Sequence, residues 1–289
     1  MPYLKLPAPT LAELAAKRGR REDIAGTAVW HYPAENPKGK LLFIHGFRGD
    51  HHGLSASAGA LVDFDVYIPD LPGYGKTEEL AKHDLDSYAK WLIRLSEALG
   101  SDLVVLGHSF GSLVVARAVS LGLNAKAIVL QNPITTRSSE QHDPANRIAR
   151  GFYALAIALG RPGSALLRSW VVVRVMSVAM ATAKSWKLRS WIHAQHHRHF
   201  STYRSDRVAH EGFAAASGAS VLDYAQSFRL PTLLIAGEKD MIAPLANQIK
   251  LQTLIPGAKL EIMTGVGHLT HYESAAEVAE AIENFVGEL

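Results

Sequence analysis

The sequence predicts an α/β fold: a doubly wound, mostly parallel sheet with an all-helical segment inserted between two of its strands. Three observations lead there. Short runs rich in Val, Ile and Leu recur along the chain, helix-length segments separate them, and one long stretch carries helical patterns only. The chain has 289 residues, 48% hydrophobic and 20% charged, enough to bury a large core without disulfides or structural metal. Cysteine is absent, which excludes thiol catalysis and thiolate metal sites.

The strand-length runs are LLFIH (41–45), DVYIP (65–69), LVVLG (103–107), AIVLQ (127–131), TLLIA (232–236) and KLEIM (259–263). They read as unbroken apolar stretches rather than alternating ones, the pattern of parallel strands covered on both faces. Helical patterns fall between them, from Asp84 to Leu99, Phe110 to Leu121, Leu245 to Leu254 and Ser274 to Phe285. Between residues 134 and 217 no strand is expected. Helices are expected there from Asn146 to Leu159, Ser164 to Ala183 and Ser185 to Phe200, with Gly160, Arg161, Pro162 and Gly163 as punctuation. The chain thus divides into a core, residues 1–133 and 218–289, and a helical cap, residues 134–217.

Charge follows the same division. The cap segment carries 12 Lys and Arg against 4 Asp and Glu, a net of +8, and the remainder carries 18 against 23, a net of −5. Either a solvated helix face or contact with an anionic surface or carrier accounts for such asymmetry. The N-terminal stretch MPYLKLPAPTLAELAAKRGRRED does not read as a secretory signal, because its basic cluster follows the apolar part and prolines interrupt it. No segment reaches the 18 or so uninterrupted apolar residues of a membrane span; LLRSWVVVRVMSVAMA is broken by Arg168 and Arg174. A cytoplasmic location is the expectation.

Chemistry centres on GHSFG, residues 107–111. As a pentapeptide it is weak evidence, but Ser109 follows an apolar strand and precedes a helix, the setting of a nucleophile elbow. A strand turning directly into a helix strains the central residue, and small neighbours two positions away, Gly107 and Gly111, relieve the crowding while His108 completes the turn. A serine hydroxyl needs an adjacent base. Of 14 histidines, His268 stands in the loop after the last strand, on the sheet edge where Ser109 emerges, and His271 is its near competitor. Asp240 follows the strand at 232–236 and is placed to orient that imidazole. The strand at 127–131 ends Gln131-Asn132-Pro133 and has no carboxylate before Glu140, so an acid from there is poorly supported. The order Ser109, Asp240, His268 is that of a Ser…Asp…His triad.

From about Gly26 to its end, the chain resembles the α/β-hydrolase fold superfamily. Besides GHSFG, HGF (45–47) is similar to the family's oxyanion loop, and DLPGYGKT (70–77) to its D-x-P-G-x-G-x-S segment. Thr77 stands there in place of the usual serine, and Ser112 where many members carry a second glycine. The resemblance implies an oxyanion hole made by the backbone N–H groups of Phe47 and Phe110, whose rings would line an apolar acyl pocket. Serine at the elbow, where haloalkane dehalogenases and epoxide hydrolases carry aspartate, implies hydrolysis of carboxylic esters through an acyl-enzyme, of carboxylesterase or lipase type. The substrate would be a small ester with an apolar acyl part, and a serine mechanism needs no metal or cofactor. A carbon–carbon bond hydrolase, a thioesterase and a catalytically silent binding protein of the same fold remain as alternatives; the G-N-S-x-G-G elbow of the first is not present.

Other signals carry less. In WIHAQHHRHF, His193 and His197, and His196 and His199, have helical spacing for metal pairs, but no HExxH glutamate accompanies them, and a polar cap face is expected. His51 and His52 follow the oxyanion loop and are candidates for the pocket edge. DLPGYG lacks the lysine and spacing of a phosphate loop, and no aromatic–basic module supports nucleic-acid binding. Trp170, Trp186 and Trp191 are expected to shape the substrate cavity.

Overall fold

A computed structural model describes residues 5–100, 102–140, 151–156 and 158–289. Eight strands form one sheet: β1 (Arg20–Ile24), β2 (Thr27–Tyr32), β3 (Lys40–Ile44), β4 (Asp65–Pro69), β5 (Leu103–His108), β6 (Ala127–Gln131), β7 (Thr232–Gly237) and β8 (Lys259–Met263). Their spatial order is β1-β2-β4-β3-β5-β6-β7-β8. β1 and β2 run antiparallel to their neighbours, and all later pairs are parallel.

Helices cover both faces because both are apolar. Leu42, Ile44, Val105, Leu130 and Leu234 pack on one side against α3 (Leu85–Leu99) and α4 (Phe110–Ser120), whose Tyr88, Leu92, Leu113 and Val114 are buried there. Leu41, Phe43, Val104, Leu106 and Val129 point the other way, towards α1 (Ala8–Arg18), α2 (Ser55–Ala60) and the C-terminal helix Ala275–Gly287. Alternate residues of one strand therefore enter two cores, which is why the central runs are apolar throughout. The outer strand β8 is different. Of KLEIM only Met263 is buried, so the expectation of cover on both faces fails at this edge.

Two strands and a helix lie outside the expected pattern. β1 reads RREDI and is largely exposed, an edge strand built from charges. β2 reads TAVWHY, and the hairpin between them turns at Ala25 and Gly26, both at positive φ, without an Asn-Gly or Asp-Gly signal. α1 starts behind Pro7 in a stretch for which the sequence pattern named no helix.

Between β6 and β7 the described residues form helices and no named strand, as expected. Residues 151–156 are helical, and residues 146–150 and 157 of that expected helix lie outside the described residues. The single helix expected from Ser164 to Ala183 is two, α5 (Arg161–Leu167) and α6 (Trp170–Met180), bent by 46°. The break has a cause: Ser169 caps α6, its hydroxyl accepting from the Val172 N–H at 3.4 Å. α7 (Trp186–His199) begins behind Ser185 in the same way. A fourth helix, α8 (Asp206–Gly218), was not in the sequence pattern; Ser205 caps it, and its Val208 and Ala209 join the core of the sheet. After β7 comes α9 (Leu245–Leu254), and the C-terminal helix is α10.

One buried cation fastens the inserted helices to the sheet. Arg48, just after β3, is 1% exposed and adopts a left-handed backbone, φ 69°. Its guanidinium donates to Tyr153 Oη at 2.6 Å, the Leu167 carbonyl at 2.6 Å, Met176 Sδ at 3.1 Å, and twice to Ser201 Oγ. All five N–H groups are used, on neutral acceptors, with the Phe200 ring 4.7 Å away. On the opposite side Glu273 accepts from the backbone N–H groups of Thr182 (2.6 Å) and Ala183 (2.8 Å). Arg48→Met keeps the length but leaves several buried acceptors without a donor, so a loss of about 2–4 kcal/mol is expected. Urea denaturation measures it; an unchanged midpoint would show that the fastening contributes nothing.

Candidate active site

Ser109 sits at the carboxyl end of β5 with φ 53° and ψ −119°, a conformation that L-residues avoid. What holds it there is close packing on both sides. A Cβ on Gly111 would lie 2.2 Å from the Ile44 carbonyl oxygen, and one on Gly107 would lie 2.4 Å from that of Gly111. Only glycine lets α4 approach β3 and β5 so closely. Ser112, which departs from the common pattern, proves structural. Its buried hydroxyl donates to the Ser109 carbonyl at 2.5 Å and accepts from the Ile134 N–H at 3.1 Å, tying the elbow to the segment after β6.

The loops after β7 and β8 bring the expected partners to this serine. His268 Nε2 is 2.8 Å from Ser109 Oγ, and His268 Nδ1 is 2.7 Å from Asp240 Oδ2. Asp240 is buried, and its Oδ1 accepts from the backbone N–H groups of Ile242 (2.8 Å) and Ala243 (2.9 Å). Burial by itself would raise this carboxyl, but the neighbouring His268 ring and the hydrogen bonds from His268, Ala243 and Asn132 outweigh it and hold the group below the usual range. Asp240 therefore stays a carboxylate, able to accept the Nδ1 proton and leave Nε2 as the base towards Ser109.

Asn132 is a member of the site that sequence reasoning missed. The end of β6 offers no acid and supplies an amide instead. Asn132, at φ 47°, donates from Nδ2 to Asp240 Oδ2 at 2.9 Å, and its Oδ1 accepts from Thr270 Oγ1. Gln131 Nε2 donates to the same Thr270 hydroxyl at 2.7 Å, so a buried polar run supports the carboxylate from behind. The positive φ and the partnership with Asp240 exist only in the fold.

The loop after β3 closes the site. His45 donates from Nδ1 to the Gly46 carbonyl (2.8 Å) and accepts at Nε2 from the Leu71 N–H (2.9 Å), with burial holding its pKa down, so it is a neutral brace. Gly46 then passes so near the elbow that a Cβ there would be 3.3 Å from both His108 Nδ1 and Ser109 Cβ. Phe47 and Phe110 line one cavity of about 300 Å³ together with Ser109 and His268. Phe110 is the first residue of α4, so its N–H is one of the donors that a helix cannot satisfy internally. His108 lines the cavity too; burial lowers its pKa to about 3, and its Nε2 is 3.5 Å from the His268 carbonyl.

The remaining candidates take other places, and some differ from expectation. His271 lies in the wall of the cavity, but its ring packs on His108 at 4.2 Å, and it is His268 that meets Ser109. His51 and His52 do not line the cavity. His51 Nδ1 bonds Asp70 Oδ1 at 2.8 Å, and His52 Nδ1 bonds Asp50 Oδ1 at 2.9 Å, because those carboxylates need partners. Trp170 and Trp186 are 64% and 71% exposed and turn outward, and Trp191 packs on Tyr272; Met176, Met180, Phe200 and Phe213 shape the cavity instead. DLPGYGKT is a braced turn. Asp70 Oδ2 accepts from the Lys76 N–H at 2.7 Å, and Thr77, in place of serine, accepts from the Ala28 N–H at 3.1 Å.

The spaced histidines of α7 go separate ways. His193 and His196 both bond Ser177 Oγ at 2.6 Å through Nδ1, His197 stacks on Trp170, and His199 faces Asp50. Asp50, His51 and His52 are a cluster of metal-ligand type, with ligand atoms within 4.8 Å of one another. Both Nδ1 atoms already bond carboxylates, and His52 stacks against His199 at 3.6 Å.

Comparison with known proteins agrees with this architecture. Lipase 1 of Psychrobacter immobilis is 24% identical over 262 residues, covering 85% of this chain and 76% of that one. The polyketide synthase ThaQ of Burkholderia thailandensis is 28% identical over 231 residues, 73% of this chain but only 10% of that much longer protein. Among solved structures, an esterase from Exiguobacterium antarcticum superposes with a TM-score of 0.74 at 16% identity, covering 93% of this chain and 99% of that one, which speaks to the fold alone. Residues 40–275 match the sequence model of the alpha/beta hydrolase fold, most of the sheet and everything that surrounds Ser109, and the chain belongs to that family.

Proposed function

We propose that the protein is a serine hydrolase of carboxylic esters, with Ser109, His268 and Asp240 as its catalytic triad. The observation that carries this reading is the unbroken run Asp240–His268–Ser109, bonded at 2.7 and 2.8 Å and opening into a largely apolar cavity. Ser109 Oγ attacks the ester carbonyl while His268 Nε2 takes its proton. The carbonyl oxygen becomes an oxyanion held by the N–H groups of Phe47 and Phe110, donors typically worth about 3–4 kcal/mol each. His268 returns the proton to the leaving alcohol, and an acyl-enzyme remains. Water then attacks the acyl carbon, His268 removes its proton, the acid departs, and Ser109 is restored. Asp240 stays ionised throughout and stabilises the imidazolium.

The helices within residues 134–217 act as a cap over this chemistry. Met176 and Met180 of α6, His196 and His199 of α7 and Phe213 of α8 supply much of the cavity wall; the methionines and Phe213 offer apolar surface to the acyl group, and burial keeps the His196 imidazole neutral. A carboxylate-bearing substrate of the carbon–carbon bond hydrolases is disfavoured, because the guanidinium in the wall, Arg48, has every N–H engaged elsewhere.

Ser109→Ala should lower p-nitrophenyl butyrate turnover by about 10⁴-fold or more, abolish labelling by a fluorophosphonate, and leave the melting temperature within error. Retained labelling would overturn the assignment of the nucleophile. Chain length offers a second check. Each methylene buried in the cavity is worth about 0.8 kcal/mol, roughly a fourfold gain, so kcat/KM should climb from the p-nitrophenyl acetate to the butyrate and level off once the cavity is full. A flat or falling series from acetate onward would argue against an apolar acyl site.

A further inference from the structure

The outer surface of the inserted helices is apolar where solvent would normally impose polar residues. On α6, Val171, Val175 and Val178 stand at i, i+4 and i+7 and are 62%, 64% and 46% exposed. Trp170 beside them is 64% exposed, and Leu159 and Leu166 add 50% and 41% from the preceding segments. The opposite face of the same helix is already engaged. Val173 and Ser177 are buried, and Met176 and Met180 line the cavity. A helix apolar on both faces, with only one covered among the described residues, leaves the other for an apolar surface from outside.

Charge identifies that surface. From Gly151 to Phe200 the chain carries seven Lys and Arg and no Asp or Glu. Arg161, Lys184 and Lys187 are exposed on the segments that precede and follow α6, and Arg168, exposed just before it, also donates to the Tyr203 carbonyl at 2.9 Å. A second copy of this chain would press like charges together. A neutral apolar partner would leave them unused. An anionic lipid surface takes both, with phosphates at the cations and acyl chains under the valines.

We propose that α5 and α6 dock this protein, lying in the plane of the interface, on membranes that contain anionic lipid. A span is the wrong geometry. No single helix among the described residues is long and apolar enough to cross, the α5–α6 pair bends by 46° with Arg168 at the bend, and the inner face of α6 remains packed on protein. Docking places the bilayer one helix diameter, about 10 Å, from the cavity that Met176 and Met180 line. An apolar ester dissolved in the membrane would thus be delivered next to Ser109. Only this supply step rests on the esterase reading; the docking itself does not.

Sedimentation of the full chain with phosphatidylcholine vesicles, with and without phosphatidylglycerol, tests it. The wild type should partition onto the anionic vesicles at least about tenfold more strongly than onto phosphatidylcholine alone, and high salt should weaken that binding. The triple variant V171S/V175S/V178S should lose about tenfold or more in partitioning at unchanged melting temperature and monomer mass. The K184Q/K187Q variant should bind more weakly and with a shallower salt dependence. Ser109→Ala should bind as the wild type does, so loss of hydrolysis and loss of docking are read separately. Wild-type protein left in the supernatant with anionic vesicles would overturn the proposal. So would a triple variant that binds undiminished, or a wild-type dimer that the triple variant converts to monomer, which would assign the face to a second copy.

Discussion

At Gly111 the first turn of α4 presses on the end of β3, nearer the Ile44 carbonyl than any side chain permits. The geometry around Ser109 depends on that approach. It draws the helix start against β3 and β5, leaves Ser109 left-handed between them, and aims its hydroxyl beyond the carboxyl edge of the sheet. β3 and β5 are neighbours at the middle of the sheet, and β6, β7 and β8 continue it in parallel on the β5 side. Parallel strands release their loops on one edge. His268 and Asp240 therefore arrive beside Ser109 from β8 and β7 without any long-range folding of loops.

Polar groups buried around this edge are matched rather than hidden. Asp240 has His268, Asn132 and two backbone N–H groups. Asp70 and Asp50 have His51 and His52, and Arg48 has five neutral bonds instead of a carboxylate. Burying any of these charges without partners would cost several kcal/mol. The same bonds join segments far apart in sequence, since Arg48 reaches four separate stretches between residues 153 and 201. The loop after β3 and the inserted helices consequently form one packed body, and the outward face of α6 is a part of that body that the described residues leave exposed.

Legibility in the sequence follows burial and locality. The central strands were readable because both faces are buried and every residue had to be apolar; β1, built from RREDI at the edge, had no such requirement. GHSFG was readable because the elbow is local, and its glycines answer contacts within a few residues or with an adjacent strand. Ser112 and Asn132 were not, since each works through a partner 22 or 108 positions away. The three tryptophans misled for a different reason. Aromatic content suggests a cavity wall, but which face of a helix meets the core is decided by what packs opposite; Trp170 meets only the flank of α7 at His197, and both it and Trp186 stay mostly exposed.

By itself, then, the sequence determined the fold family, the order Ser109, Asp240, His268 and the positions of the glycines, because strand alternation, helix period and turn sterics are properties of neighbouring residues. Only the tertiary structure decided what steadies Asp240, where α5 ends and α6 begins relative to the sheet, and which side chains enclose the cavity. Those are contacts between segments that sequence keeps far apart. Their choice is made by close packing and by the cost of leaving a buried polar group alone, and neither acts until the chain has folded.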